Sequence, residues 1–209
     1  MNPDALIFDL DGTLWDAVET YTKAWNTYFD RNQLEYSLSK KDLDGLMGLE
    51  EAVFLEKVLP NQSVDERAES YKEVVQIQYD LIDQVGGHIY DGVLEMIPLL
   101  AKKYQLFIVS NCPKRTIKHF LNFSKLDVFF TDTLAHGQNY RPKFENIKSL
   151  ILKHQLESPV YIGDTNGDMI QSKKAKVPFI FMEYGFGKSA SFHRSFETFE
   201  TFASHYLNA

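Results

Sequence analysis

Residues 5–16 read ALIFDLDGTLWD, and the fold turns on how that stretch is understood. It opens with four apolar residues in a row, Ala5-Leu6-Ile7-Phe8, without the alternation of a half-exposed strand. Such a run predicts a strand buried on both faces, spanning Ala5–Leu10. It ends in Asp9 and Asp11, followed at once by Gly12 and Thr13. A turn needs one aspartate, and two neighbouring carboxylates repel each other unless something holds them. Strands buried on both faces belong to parallel sheets, and open parallel sheets bind ligands beyond the carboxyl ends of their strands. The aspartate pair therefore marks the edge at which chemistry is to be sought.

Working outward, the chain has two textures. Residues 16–85 read as helices. In residues 16–33 the apolar positions Val18, Tyr21, Trp25 and Tyr28 or Phe29 recur every three or four residues, and in residues 63–85 Val64, Ala68, Tyr71, Val75, Ile82 and Val85 do the same. Two shorter helices are expected near 39–46 and 50–58, with a loop at Gly45 and Gly48. Beyond Gly86-Gly87, an expected hinge, strands alternate with helices. The expected strands are 106–110, 128–131, 160–163 and 179–182; the expected helices are 93–103, 113–123, 143–154, 167–175 and 192–207. Pro98 predicts a kink or a late start in the first of these. The fold class is thus α/β, a Rossmann-like parallel sheet core (residues 1–15 and 88–209) with an inserted α-helical cap (residues 16–87).

The strand tips gather a consistent set of side chains. The second strand ends in Ser110-Asn111, with Pro113 placed for the first turn of a helix whose free N–H groups favour an anion. The fourth ends in Gly163-Asp164, with Asp168 four residues on. Lys143 starts the intervening helix. Four aspartates cannot share one cleft unneutralised, and all-oxygen ligands without Cys or His favour Mg²⁺. A cation site beside an anion cradle, with a carboxylate to spare, suits phosphoryl transfer.

The bulk numbers fit an enzyme of this kind. The 209 residues are 44% hydrophobic with a formal net charge of −7. An acidic chain without a basic patch is not expected to bind nucleic acid or an anionic membrane. Cys112 is the only cysteine, which excludes an internal disulfide and suits a reducing compartment. With no signal-like N-terminus and no apolar run near 18 residues, a cytoplasmic location is expected. Composition does not address oligomeric state.

The set Asp9-x-Asp11-Gly12-Thr13, Ser110-Asn111, Lys143 and Gly163-Asp164-x-x-x-Asp168 resembles the haloacid dehalogenase superfamily, in its phosphatase branch with an α-helical cap. A phosphoglycolate-phosphatase-like enzyme is the nearest type. The resemblance implies a hydrolase of phosphoric monoesters using Mg²⁺, with a small-molecule phosphate ester as its partner. It implies that Asp9 is the nucleophile forming an aspartyl-phosphate and that Asp11 is the acid/base. Thr13 resembles the family's supporting residue in the turn. By the same resemblance, Lys143, Ser110 and the Asn111 amide would hold phosphate oxygens. It implies that Asp9, the Asp11 backbone carbonyl and Asp164 bind the metal, with Asp168 a ligand through water or a hydrogen-bond partner. Met47, Gly48, Leu49 and Glu50 resemble the cap's specificity loop.

One departure stands out: many relatives place lysine before the proline of the third motif, whereas here Arg141-Pro142 precedes Lys143. Lys143-Phe144-Glu145-Asn146-Ile147 fits another version of the motif, and Lys143 is preferred over Arg141. Lys114 and Arg115 are as readily a solvated helix start as substrate contacts. A β-phosphoglucomutase-type mutase is the alternative, set back by the scarcity of arginine in the acidic insert; a non-catalytic binding module is a third reading. Cys112 lacks the glycines and arginine of a cysteine phosphatase, and GFGKS at 185–189 lacks the first glycine of a phosphate-binding loop. That segment resembles the loop after the family's fifth strand.

Overall fold

The computed structural model describes residues 3–209, so residues 1–2 of the expected core segment lie outside the described residues. Strand β1 (Ala5–Phe8) is buried along its whole length. It lies between β4 (Gln105–Ser110) and β6 (Val160–Gly163), and parallel pairing continues to β5 (Asp132–Ala135), β7 (Phe179–Met182) and β8 (Arg194–Phe196). The six-stranded order is β5-β4-β1-β6-β7-β8, all parallel.

Side chains leave a strand alternately to its two faces, so β1 feeds two cores. Leu6 and Phe8 join Ile108, Ile162 and Ile180 on one face, against α5 (Val93–Leu100) and α10 (Phe199–Leu207). Ala5 and Ile7 join Phe107, Val109 and Tyr161 on the other, against α8 (Lys143–His154) and α9 (Asn166–Ala175). Phe8 meets Phe202 edge to face at 5.8 Å. Burying each such side chain is worth roughly 1.5–3 kcal/mol.

The expected helices of residues 16–85 form: α1 (Val18–Arg31), α2 (Lys40–Asp44), α3 (Glu51–Val58) and α4 (Val64–Val85), but α4 buries Ser70, Val74, Ile77, Gln78, Tyr79 and Ile82, and of the face read from its periodicity Val64, Ala68 and Val85 are exposed. Ser39 and Ser63 open α2 and α4 with reciprocal caps from Asp42 and Glu66. The chain enters and leaves this helical segment through a two-stranded antiparallel ribbon, β2 (Trp15–Asp16) with β3 (His88–Ile89). Gly86 between α4 and the ribbon has φ +63°, ψ −146°, and a Cβ there would strike the Phe123 ring. Only glycine serves at that corner.

Four other expectations shift. Residues 128–131 are not a strand: Asp127–Phe129 form a 3₁₀ turn with Val128 76% exposed, and the strand begins at Asp132. An edge strand is only half covered, so Asp132 and Thr133 are tolerated there, and the apolar run was the wrong signal. The last helix begins at Phe199, capped by Thr198, not at 192; Arg194–Phe196 instead extends the sheet. Phe192 and Phe196 mimicked helical spacing, although Phe192 stacks on Phe181 from outside the helix. Pro98 neither delays nor divides α5, which runs through it and stops two residues later. Finally, α6 spans Thr116–Ser124, ahead of the short α7 (His136–Asn139), so Pro113 precedes the helix instead of opening it, and the backbone between Asn111 and Arg115 is turn, not helix N-terminus.

Candidate active site

The carboxyl ends of β1, β4 and β6 meet where the sequence placed them. The Asp9 N–H donates to the Ile162 carbonyl at 2.8 Å, tying the strand tip to β6. Asp9, Asp164 and Asp168 are all buried, and each offers a carboxylate oxygen within 4.8 Å of the others. Lys143, 3% exposed, lies 2.6 Å from Asp168 Oδ1 and 3.0 Å from Asp9 Oδ2. Arg141 is exposed, and Lys143 is the buried cation of the two. Burial works against its charge, but Asp168 and Asp9 overcome that and hold the ammonium above its ordinary range.

Each carboxylate is held differently. Asp168 Oδ2 accepts from Thr165 Oγ1 at 2.6 Å and from the Thr165 N–H at 3.1 Å, closing the cap of α9, while Oδ1 receives Lys143 and, more weakly, the Tyr161 hydroxyl. Asp168 is thus both a helix cap and the partner that orients the lysine. Asp164 Oδ2 accepts from the Phe186 N–H at 2.7 Å and Oδ1 from Thr13 Oγ1 at 3.4 Å. Asp9 Oδ1, by contrast, is buried without any partner. Burial pushes Asp9 up to about 6, Lys143 restraining the rise and Asp168 adding to it. Burial, then Asp168 and Asp9, push Asp164 far above the carboxylate range. Three buried carboxylates with one lysine leave negative charge uncompensated, and an orphaned oxygen at such a place fits a hard cation.

Asp11 stands outside this group. Its Oδ1 accepts from the Tyr21 hydroxyl at 2.8 Å and Trp15 Nε1 at 3.0 Å. Loss of solvent pushes its carboxyl up to about 7, against the pull of the Tyr21 bond. The Asp11 side chain therefore does not belong to the acidic cluster, and its reading as a metal ligand rests on the backbone carbonyl alone. Ser110, Asn111 and Lys143 line one cavity of about 70 Å³ with Asp9 and Asp11. The opposite wall comes from the helical segment, including Met47, Gly48 and Leu49. The Asn111 Nδ2 donates to the Gly48 carbonyl at 3.2 Å. Glu50 is exposed and outside the lining; its neighbour Glu51 takes that place. Burial pushes the Cys112 thiol up, well away from the thiolate a nucleophile requires.

Residues 185–187 have a different task from phosphate binding. A Cβ on Gly185 would come within 2.2 Å of the Asp164 Cβ and 2.5 Å of the Gly12 carbonyl. Gly12, at φ +84°, would place its own Cβ 2.2 Å from Asp164 Oδ2. Both glycines let three backbones converge on one carboxylate. Gly185→Ala should therefore cost about 1–3 kcal/mol by overpacking and lower the melting temperature by roughly 2–12 °C. A calorimetric melt indistinguishable from the parent would show that the loop does not press on Asp164. Sequence reading missed Tyr21, Trp15, Tyr161 and the Phe186 N–H. The first two lie ten and four residues beyond Asp11, a hint available only once Asp11 is seen as needing donors.

Fold and site together define a haloacid dehalogenase-type hydrolase. A family model described as haloacid dehalogenase-like hydrolase matches residues 6–182, most of the chain, and the chain belongs to that family. Pyrophosphatase PpaX of Anoxybacillus flavithermus is 28% identical over 183 residues, covering 84% of this chain and 81% of the relative. Its namesake from Listeria monocytogenes serotype 4b is 30% identical over 177 residues, covering 82% and 79%. The fold matches a structure described as a predicted phosphoglycolate phosphatase from Haemophilus somnus (TM-score 0.85, 19% identity, 98% of each chain). It also matches CbbY of Rhodobacter sphaeroides in complex with phosphate (TM-score 0.80, 14% identity, 94% of this chain and 95% of that one). Among the described residues, no helix is long and apolar enough to cross a membrane.

Proposed function

We infer that the protein is a Mg²⁺-dependent phosphatase that hydrolyses a small phosphate ester through an aspartyl-phosphate on Asp9. The observation that carries this reading is the unpartnered, buried Asp9 Oδ1 beside two further buried carboxylates and a lysine. Asp9, Asp164 and the Asp11 carbonyl would hold the metal, with Asp168 as a direct or water-linked partner. The ion supplies positive charge that lets a carboxylate approach an anionic phosphoryl group.

The chain's own residues do the rest. Lys143, Ser110 and Asn111 hold the phosphate oxygens. An Asp9 oxygen forms a bond to phosphorus as the bond to the leaving oxygen breaks, and Asp11 gives that oxygen its proton. Asp11, raised to about 7 by burial, carries a proton near neutrality, which is what the first step requires. The resulting Asp11 carboxylate then takes a proton from water, which attacks phosphorus and releases phosphate from Asp9. Residues 1–15 and 88–209 serve as the catalytic core and residues 16–87 as a cap. The Asn111–Gly48 bond supports a closed position that excludes bulk water.

Phosphate release from a phosphomonoester panel should require Mg²⁺ and stop with EDTA. Asp11→Asn should block turnover yet accumulate acid-stable ³²P on the protein when the leaving group is as activated as p-nitrophenolate. Absence of turnover across the panel with Mg²⁺ present would sink the reading. Formation of glucose 6-phosphate from glucose 1-phosphate without phosphate release would support the mutase instead.

A further inference from the structure

The cavity wall opposite the aspartates is built almost wholly from apolar and aromatic groups of the helical segment: Trp25, Leu43, Leu46, Met47, Phe54 and Tyr71. Trp25, Phe54 and Tyr71 form one packed group, with ring centroids 5.9–6.4 Å apart. The polar side chains that this segment adds to the lining are the hydroxyls of Tyr21, which bonds Asp11, and Tyr71, together with Glu51 and Gln78. Glu51 is a carboxylate, Gln78 is buried and neutral, and the Trp25 Nε1 donor is buried without a partner.

No arginine or lysine of the helical segment reaches this lining, and Lys143 is the one lysine in it. The cations of residues 16–87 are engaged elsewhere or lie in solvent. Lys40 pairs with Asp16, Lys72 with Glu69 and Lys23 with Glu19. Arg67 donates to the Leu59 and Pro60 carbonyls, and Arg31, Lys41 and Lys57 are exposed. On the sheet side, Arg115 stacks on Tyr79 and Lys114 and Arg141 are exposed. Lys143 itself pairs with Asp9 and Asp168 and, on the reading above, serves the transferred phosphate and not the leaving group.

A leaving group that carried a second phosphate or a carboxylate would lose its hydration here, find no positive partner, and face Glu51. Burying an unpaired anion is far more costly than burying an apolar group. A neutral, largely apolar alcohol would instead lie against this wall without an unpaired charge. We propose that the alcohol half of the substrate is uncharged and apolar or aromatic, and that this pocket rejects phosphate esters bearing a second anionic group. The proposal rests on the phosphatase reading above. It departs from what the names of the PpaX relatives would suggest, because pyrophosphate presents a second phosphoryl group where this wall offers none a counter-charge.

The test compares benzyl phosphate, phosphoglycolate and pyrophosphate with the Mg²⁺-loaded full chain. Benzyl phosphate and phosphoglycolate both leave as primary alkoxides, so leaving-group chemistry is similar and pocket polarity decides. kcat/KM for benzyl phosphate should exceed that for phosphoglycolate and for pyrophosphate by roughly 100-fold or more. Glu51→Lys, at a half-exposed position in the first turn of α3, should narrow the benzyl-to-glycolate ratio at least tenfold, and Glu51→Gln should narrow it less. Equal or preferred turnover of phosphoglycolate or pyrophosphate by the parent would overturn this proposal and leave the phosphatase reading standing. Turnover of none of the three, nor of p-nitrophenyl phosphate, would overturn both.

Discussion

Asp9→Asn should leave a folded protein that turns over no substrate. Asparagine keeps the shape of the side chain but cannot form the acyl-phosphate bond, so the loss should reach at least about 10⁴-fold, the scale seen when a covalent nucleophile is removed. The instructive half of the result is stability. Burial raises Asp9 from 3.8 to about 6, so the folded state holds this proton more tightly than the unfolded chain does. Stability linked to that proton is fully present below the unfolded value and is lost as pH rises through the folded one. In metal-free solution the variant should therefore melt at or above the parent once pH exceeds about 6, and lose that advantage below about pH 4. Adding Mg²⁺ should reverse the order, because the ion stabilises whichever form binds it more tightly. Calorimetric melts with EDTA and with excess Mg²⁺, at pH 4 and pH 7.5, check both signs. A variant less stable than the parent at pH 7.5 in EDTA would mean that Asp9 is structurally satisfied without a cation.

That contrast explains why so much of the site could be read from letters alone. Asp9, Asp164 and Lys143 sit at strand tips or a helix start, and strand tips follow from runs such as Ala5–Phe8 and Val160–Gly163, which are buried on both faces. A residue whose position is fixed by backbone register can be placed from sequence. What could not be placed was set by tertiary packing. The donors on Asp11 come from Tyr21, which sits on a helix whose angle to the sheet no local pattern encodes. The role of Gly185 depends on a distance to Asp164 across 21 residues of chain. The edge strands failed for a related reason: β5 and β8 are partly exposed and carry Asp132 and Arg194, so hydrophobicity, the signal that found the central strands, is weakest there.

Lys143→Met tests the same charge balance from the other side. The ammonium is buried between Asp168 and Asp9, with Asp164 in the same cluster. Removing one member of a buried ion pair leaves the other charge uncompensated and typically costs about 3–5 kcal/mol. For a chain of this size that corresponds to a fall in melting temperature of roughly 6–20 °C. Activity should fall at least about 10³-fold, because the phosphate loses its fixed cation and Asp9 loses the contact that orients Oδ2. The effect of metal separates this account from simple loss of packing. If the carboxylates hold Mg²⁺ as proposed, Lys143 and the ion share their neutralisation in the parent, and in the variant the ion faces them alone. Saturating Mg²⁺ should therefore raise the melting temperature of Lys143→Met by more than it raises that of the parent. Lys143→Arg should not restore activity, since a planar guanidinium does not fit a slot sized for an ammonium at 2.6 and 3.0 Å from two carboxylates. If Mg²⁺ shifted both melts equally, the lysine and the metal would not be acting on the same carboxylates, and the cluster of Asp9, Asp164 and Asp168 would have to be something other than a cation site.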